Sequence, residues 1–295
     1  MKQGELVVRK SYGGDVIFKI DEIDMRRAVL KGVDFRLLAD SPVSDLQTVQ
    51  DARPLAQQYS QMKVHDSLRE LARYRMWQRE KQQTELGQSG NVKHSYFEMP
   101  GKVLHLDGDP MYLRKSMALY GEFRVPAEGY FVTEPNMPQA LYRLLPQVRP
   151  DIVVITGHDG ILKHLKERDM NSLASYKNSQ HFVSAVHVAR EFERDLDSLT
   201  VIAGACQSHF EALLKSGANF ASSPARVLIH ALDPSCIAIK SAFTSIRDTI
   251  NVADVIHNTI SGFDGVGGIE TRGSYRLGWP KLHTQPVAAP PATAP

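Results

Sequence analysis

Between Pro100 and Ile260 the apolar residues fall in short β-branched runs separated by stretches of helical period. Val103-Leu104-His105-Leu106, Tyr130-Phe131-Val132, Ile152 to Ile155, Thr200 to Ala203 and Arg226 to Ile229 predict five strands. Runs of this length and composition, bounded by Gly, Asp and Pro, suit strands buried on both faces. The intervening stretches predict helices. One starts at Pro110, with Asp109 as its cap and Leu113, Met117 and Tyr120 on its apolar face. Others cover Pro138 to Leu145, Gln180 to Leu196, a segment opening at Cys206 and ending near Gly217, Ile237 to Ile246, and Val252 to Ile260. Repeated β-α-β units predict an α/β fold: a mostly parallel sheet with helices on both faces and right-handed crossovers.

The first 55 residues read differently. Leu6-Val7-Val8, Val16 to Ile20, Arg27 to Leu30 and Val33 to Leu38 are short β-prone runs, with Tyr12-Gly13-Gly14-Asp15 as a hairpin signal and Asp40-Ser41-Pro42 as a stop. They predict a small SH3-like β-barrel. Residues 56–98 predict a helix, with Val64, Leu68, Leu71, Ala72 and Met76 on one face, fading into a flexible linker from Gln82 to Asn91. The α/β domain then spans 99–280, and 281–295 form a disordered Ala/Pro tail.

Composition narrows the function by exclusion. A net charge of +2 with interspersed signs argues against a nucleic-acid partner held by bulk charge. No apolar run is long enough to span a membrane, and the N-terminus carries no secretory h-region. The two cysteines, Cys206 and Cys236, fit free thiols in a reducing cytoplasm, and the 11 histidines form no zinc-ligand cluster. Neither a metal nor a cofactor is expected.

Two of the predicted strands end alike. Ile155-Thr156-Gly157-His158-Asp159-Gly160 presents a histidine, and Ala203-Gly204-Ala205-Cys206-Gln207 a cysteine. Parallel sheets carry their reactive groups at the carboxyl edge, so both fall on one edge. That suggests a thiol nucleophile with an imidazole base. A helix opening at Cys206 would favour the thiolate. The Cys206 amide would serve an oxyanion, with either the Asp159 or the Gly160 amide as second donor. His105, His164, His209 and His230 compete as base, and Cys236 as nucleophile.

Ala205-Cys206-Gln207, with His158 standing 48 residues upstream, resembles the caspase–gingipain–clostripain group of cysteine peptidases, and so implies a caspase-like fold. A closer resemblance spans almost the whole chain. Gly4 to Asp15, Leu104 to Pro110, Ile155 to Gly160 and Thr271 to Arg276 are similar to the YabG family of sporulation-specific cysteine peptidases of endospore-forming bacteria. That resemblance implies a mother-cell protease, cytoplasmic or associated with the forming coat, that processes spore coat and cortex proteins after Arg or Lys. A basic P1 residue would need an acid in its pocket. Asp107 is the first candidate, with Asp109 and Asp233 beside it, and Arg272-Gly273 is a candidate self-cleavage bond. Two rival readings are a receiver domain, which would need a phosphoacceptor aspartate where Thr156 stands, and an inert structural coat protein.

Overall fold

The computed structural model describes residues 1–49, 55–87, 96–162 and 169–279. Residues 88–91 of the expected linker and all of the expected tail lie outside the described residues.

The N-terminal module is a five-stranded antiparallel sheet: β1 (Leu6–Arg9), β2 (Phe18–Ile23), β3 (Arg27–Gly32), β4 (Leu38–Pro42) and β5 (Leu46–Thr48), in the order β4-β3-β2-β1-β5. Val7, Phe18, Ile20, Ala28, Leu30 and Leu46 pack inside it. The first three strands lie where their apolar runs predict. The fourth does not: residues 33–37 form a loop, and Asp40-Ser41-Pro42 belongs to β4 rather than ending the module. That loop reaches into the second domain, where Arg36 is fully buried.

Helix α1 (Leu55–Gly87) is longer than its sequence suggests, running through residues expected to be linker. Leu71 is buried and Val64, Leu68 and Tyr74 pack beside it, but Met76 is 62% exposed. The next elements are β6 (Phe97–Met99), β7 (Val103–Asp107), α2 (Pro110–Phe123), β8 (Ala127–Phe131), α3 (Met137–Val148), β9 (Ile152–Thr156), α4 (Ser179–Phe192), β10 (Thr200–Ala203), α5 (Phe210–Lys215) and β11 (Phe220–Ser222). They are followed by α6 (Asp233–Phe243), β12 (Thr249–Ile250), α7 (Val252–His257), α8 (Gly262–Gly265), β13 (Val266–Gly268), β14 (Thr271–Arg272) and β15 (Arg276–Gly278).

The main sheet has six strands in the order β13-β11-β10-β9-β7-β8, parallel except for the edge strand β13. Alternate residues face opposite layers. Val103, Ile152, Val154 and Ile202 pack with residues of α2 and α6. Leu104, Leu106, Val153, Ile155 and Val201 pack with α3 and α4. One expected strand is absent. Arg226 to Ile229 is irregular, with Arg226 at a φ of 58°, and Phe220–Ser222 takes its place in the sheet. The run's apolar residues serve a loop that folds over Cys206.

Candidate active site

β9 and β10 are adjacent and parallel, with Ile155 opposite Ala203. His158 and Cys206 each stand three residues beyond that pair, so register alone brings both to the same edge. The two loops touch: a Cβ on Gly160 would lie 3.6 Å from Gln207 Oε1. Thr156, where a receiver would carry its aspartate, donates its hydroxyl to the Gly204 carbonyl at 2.8 Å.

The helix expected to open at Cys206 starts later, at Phe210. Gln207 is the cause. Its φ of 56° is left-handed and cannot continue a right-handed turn. Gly204, at a φ of 110°, sets up this turn, and a side chain there would press on Leu213 and Ser222 at 2.9 and 3.1 Å. Cys206 therefore gains no helix terminus. Its Sγ is fully buried, accepts the Ile229 amide at 3.2 Å and faces the Ile229 carbonyl at 3.7 Å. Burial pushes the thiol up to about 12, against the lowering influence of the Ile229 amide and the Arg36 guanidinium. The thiolate expected of a helix N-terminus is thus replaced by a protonated resting thiol.

His158 is held by a residue that the sequence did not single out. Glu134 Oε1 accepts the His158 amide at 2.8 Å and stands 3.7 Å from Nδ1. Burial would raise the Glu134 carboxyl, but the His158 imidazole and amide outweigh it and hold the carboxyl low. Two glycines make room for it: a Cβ on Gly108 or Gly157 would fall 2.2 or 2.5 Å from Glu134 Oε1. Glycines at two strand ends, with an acid past the end of β8, are a faint sequence signal for such a cradle. On the other side of the ring, Nε2 is buried without a hydrogen bond, 3.6 Å from Asp109 Oδ2. Tyr112 packs on the imidazole, with 5.7 Å between ring centroids. The imidazole and the thiol share no hydrogen bond in this resting arrangement.

Asp159 separates His158 from Gly160, and its position explains why an acid stands there. Its carboxylate accepts the Asn178 amide at 2.8 Å, the Ser208 hydroxyl at 2.9 Å, the Ser179 hydroxyl and the Gly160 amide at 2.9 Å. Ser208 in turn accepts the Ala205 amide at 2.9 Å. One buried carboxylate thus ties the His158 loop, the Cys206 loop and the start of α4 together. Burial raises its pKa despite these bonds. The Gly160 amide is consumed within this knot. Among the described residues, the Cys206 and Asp159 amides donate to no protein group.

The three acids expected in a substrate pocket are all internal. Asp107 is fully buried and paired with the equally buried Arg36 at 2.9 Å, which overcomes the upward push of burial and keeps it ionised. Asp233, at the start of α6, accepts the His230 and Ile260 amides, and burial raises it to about 6. Asp109 caps α2 through the Met111 amide at 2.7 Å and faces Lys31 at 3.4 Å. These acids were legible as carboxylates on the right edge, but not as groups already taken. Arg36 was missed because its partner lies 71 residues away.

The open cleft lies instead between the two domains, with a volume of about 540 Å³. His158, Asp159, Gly160, Lys177 and Gln207 form one wall. Tyr12, Asp15, Phe18 and the stretch Leu37 to Asp40 form the other. Arg272 is exposed in β14, while Gly273 is packed so closely on Thr244 that a Cβ would lie 2.0 Å from its carbonyl oxygen. Cys236 is buried in α6, and His105 is buried against Tyr120 at 2.9 Å. His209 caps α5, and the His230 Nδ1 accepts the Leu232 amide at 3.2 Å. His164 lies outside the described residues. No group of metal-ligating side chains forms among the described residues, and no described helix is long and apolar enough to cross a membrane.

Comparison with known proteins adds two findings. The sequence model of a family described as YabG peptidase U57 matches residues 2–280. The sporulation-specific protease YabG of Bacillus subtilis (strain 168) is 44% identical over 284 residues, covering 94% of this chain and 97% of that protein. No solved structure matches.

Proposed function

We propose that this chain, which belongs to the YabG peptidase U57 family, hydrolyses peptide bonds with Cys206 as nucleophile and His158 as general base. Membership makes it a peptidase, and the Bacillus relative's name makes sporulation its setting. The observation that carries the assignment is register. Ile155 and Ala203 are paired, and the two reactive side chains follow at equal distance on adjacent strands.

The chemistry follows from the site. With the thiol pushed up to about 12, a resting ion pair is disfavoured. Proton transfer to the unbonded Nε2 of His158 accompanies attack of Sγ on the scissile carbonyl. Glu134, at Nδ1, stabilises the imidazolium that forms. The Cys206 and Asp159 amides receive the oxyanion. His158 then protonates the leaving amine, and the thioester is released by water with His158 again acting as base. Substrate entry must displace the Ile229 backbone, whose amide donates to Sγ and whose carbonyl faces it.

Cleavage after Arg or Lys in spore coat and cortex proteins, within the mother-cell cytoplasm, is the physiological role this reading favours. Self-cleavage at Arg272-Gly273 would require β14 to leave β12, with which it pairs. Intact-mass analysis of active enzyme beside Cys206→Ala tests it. An uncut bond in active enzyme counts against it.

Casein hydrolysis by single variants tests the dyad. Cys206→Ala and His158→Ala abolish turnover, while Cys236→Ser retains it. An active Cys206→Ala, or a dead Cys236→Ser of normal stability, overturns the assignment. The buried, high-pKa thiol favours one rival, an inert coat protein. It predicts that Cys206→Ala leaves coat-protein maturation unchanged.

A further inference from the structure

Part of the cleft wall opposite His158 comes from the edge strand of a sheet. β4 is the outermost strand of the N-terminal module, and Leu38, Ala39 and Asp40 all line the cleft. Flanking the β3–β4 ladder, Gly32 donates to the Leu37 carbonyl and Val43 to the Arg26 carbonyl. In an antiparallel pair the bonded positions alternate. The register Leu30 opposite Ala39 and Ala28 opposite Ser41 therefore carries the bonds to β3. Leu38 and Asp40 fall between them and direct their N–H and C=O groups outward. No described residue pairs with those outward groups. An unpaired ladder is a template for another strand.

Charge points to the occupant. Arg9, on the same wall, is neutralised by Asp45 at 3.1 Å. Asp15 makes no ion pair among the described residues, and Asp40 has only an exposed contact with Arg27 at 3.7 Å. This wall therefore offers carboxylates to a basic side chain. Lys177 is the exposed base on the facing wall.

We infer that β4 is the substrate-docking edge: an extended polypeptide segment carrying a basic side chain adds to it as a further strand and is laid across His158. This rests on the peptidase reading above. It gives the N-terminal module a direct part in substrate recognition, and it moves the specificity acids from Asp107, Asp109 and Asp233 to Asp15 and Asp40.

The test compares Leu38→Pro with wild type. It removes one outward N–H and leaves the β3–β4 bonds in place. The substrates are fluorescein-casein and an arginine p-nitroanilide too short to reach the strand. With one hydrogen bond lost, kcat/KM for casein falls about fivefold relative to that for the anilide. A ratio equal to wild type overturns the inference. Single N-methyl groups walked along a synthetic alanine–valine peptide with one central arginine probe the unaltered enzyme. Losses at alternate residues support strand addition, and losses without alternation overturn it. If wild type cuts none of these, the peptidase reading fails, and docking is then read by anisotropy of fluorescein-casein on Cys206→Ala. Weaker binding on adding Leu38→Pro supports the edge, and unchanged binding overturns it.

Discussion

Replacing Glu134 by Gln removes a charge and little else. The side chain keeps its shape between Gly108 and Gly157, and its carbonyl oxygen still accepts the His158 amide. What disappears is the carboxylate 3.7 Å from Nδ1. At an effective dielectric of 20, two unit charges at that separation interact by about 4 kcal/mol. Asp109, 3.6 Å from Nε2, supplies part of the same field and remains in place. The net loss is therefore roughly 2–3 kcal/mol, felt only when the imidazole is charged. Because that state forms during thiol attack, the loss falls on kcat, by roughly 30- to 150-fold, with KM nearly unchanged. Steady-state casein kinetics measure both constants. A variant whose kcat lies within threefold of wild type refutes Glu134 as the group that steadies His158.

Arg36→Met strands the buried Asp107 carboxylate and costs about 3–5 kcal/mol in urea unfolding, while Arg36→Met with Asp107→Leu recovers most of it. Gly157→Ala drives a methyl into Glu134 Oε1; it lowers kcat and costs about 1–3 kcal/mol, and unchanged activity would show that the cradle is loose. Iodoacetamide labelling of Cys206, followed by peptide mapping, rises steadily from pH 7 to 10 without a plateau, as a thiol near 12 requires; a plateau below pH 8 refutes the protonated resting state. Burial holds His230 down at about 3, against an ordinary 6.5. The unfolded chain thus binds the extra proton between those values, and stability falls as pH drops through that window. His230→Gln flattens that part of the urea-midpoint profile.

The alternating runs and helical periods announced most of the α/β domain, because strands buried on both faces leave continuous apolar signals. Asp109 capped its helix as expected, and the His158 and Cys206 endings met on one edge because parallel neighbours share a direction. The misses are of another kind. Arg226 to Ile229 has the composition of a strand, but Arg226 at positive φ turns it into the loop over Cys206. The helix expected at Cys206 is broken by Gln207 for the same reason. Backbone handedness at a non-glycine residue leaves little trace in composition. Asp107 showed itself as an acid near the site but not as a partner of Arg36, since nothing local links residues 71 positions apart.

Sequence alone thus determined the fold class and the common edge of His158 and Cys206, both of which rest on local periodicity and strand direction. Tertiary structure decided everything that depends on what surrounds a group: the protonated thiol, the Glu134 brace, the Asp159 knot and the cleft walled by β4. Burial and long-range pairing set these properties, and neither exists until residues distant in the chain pack together.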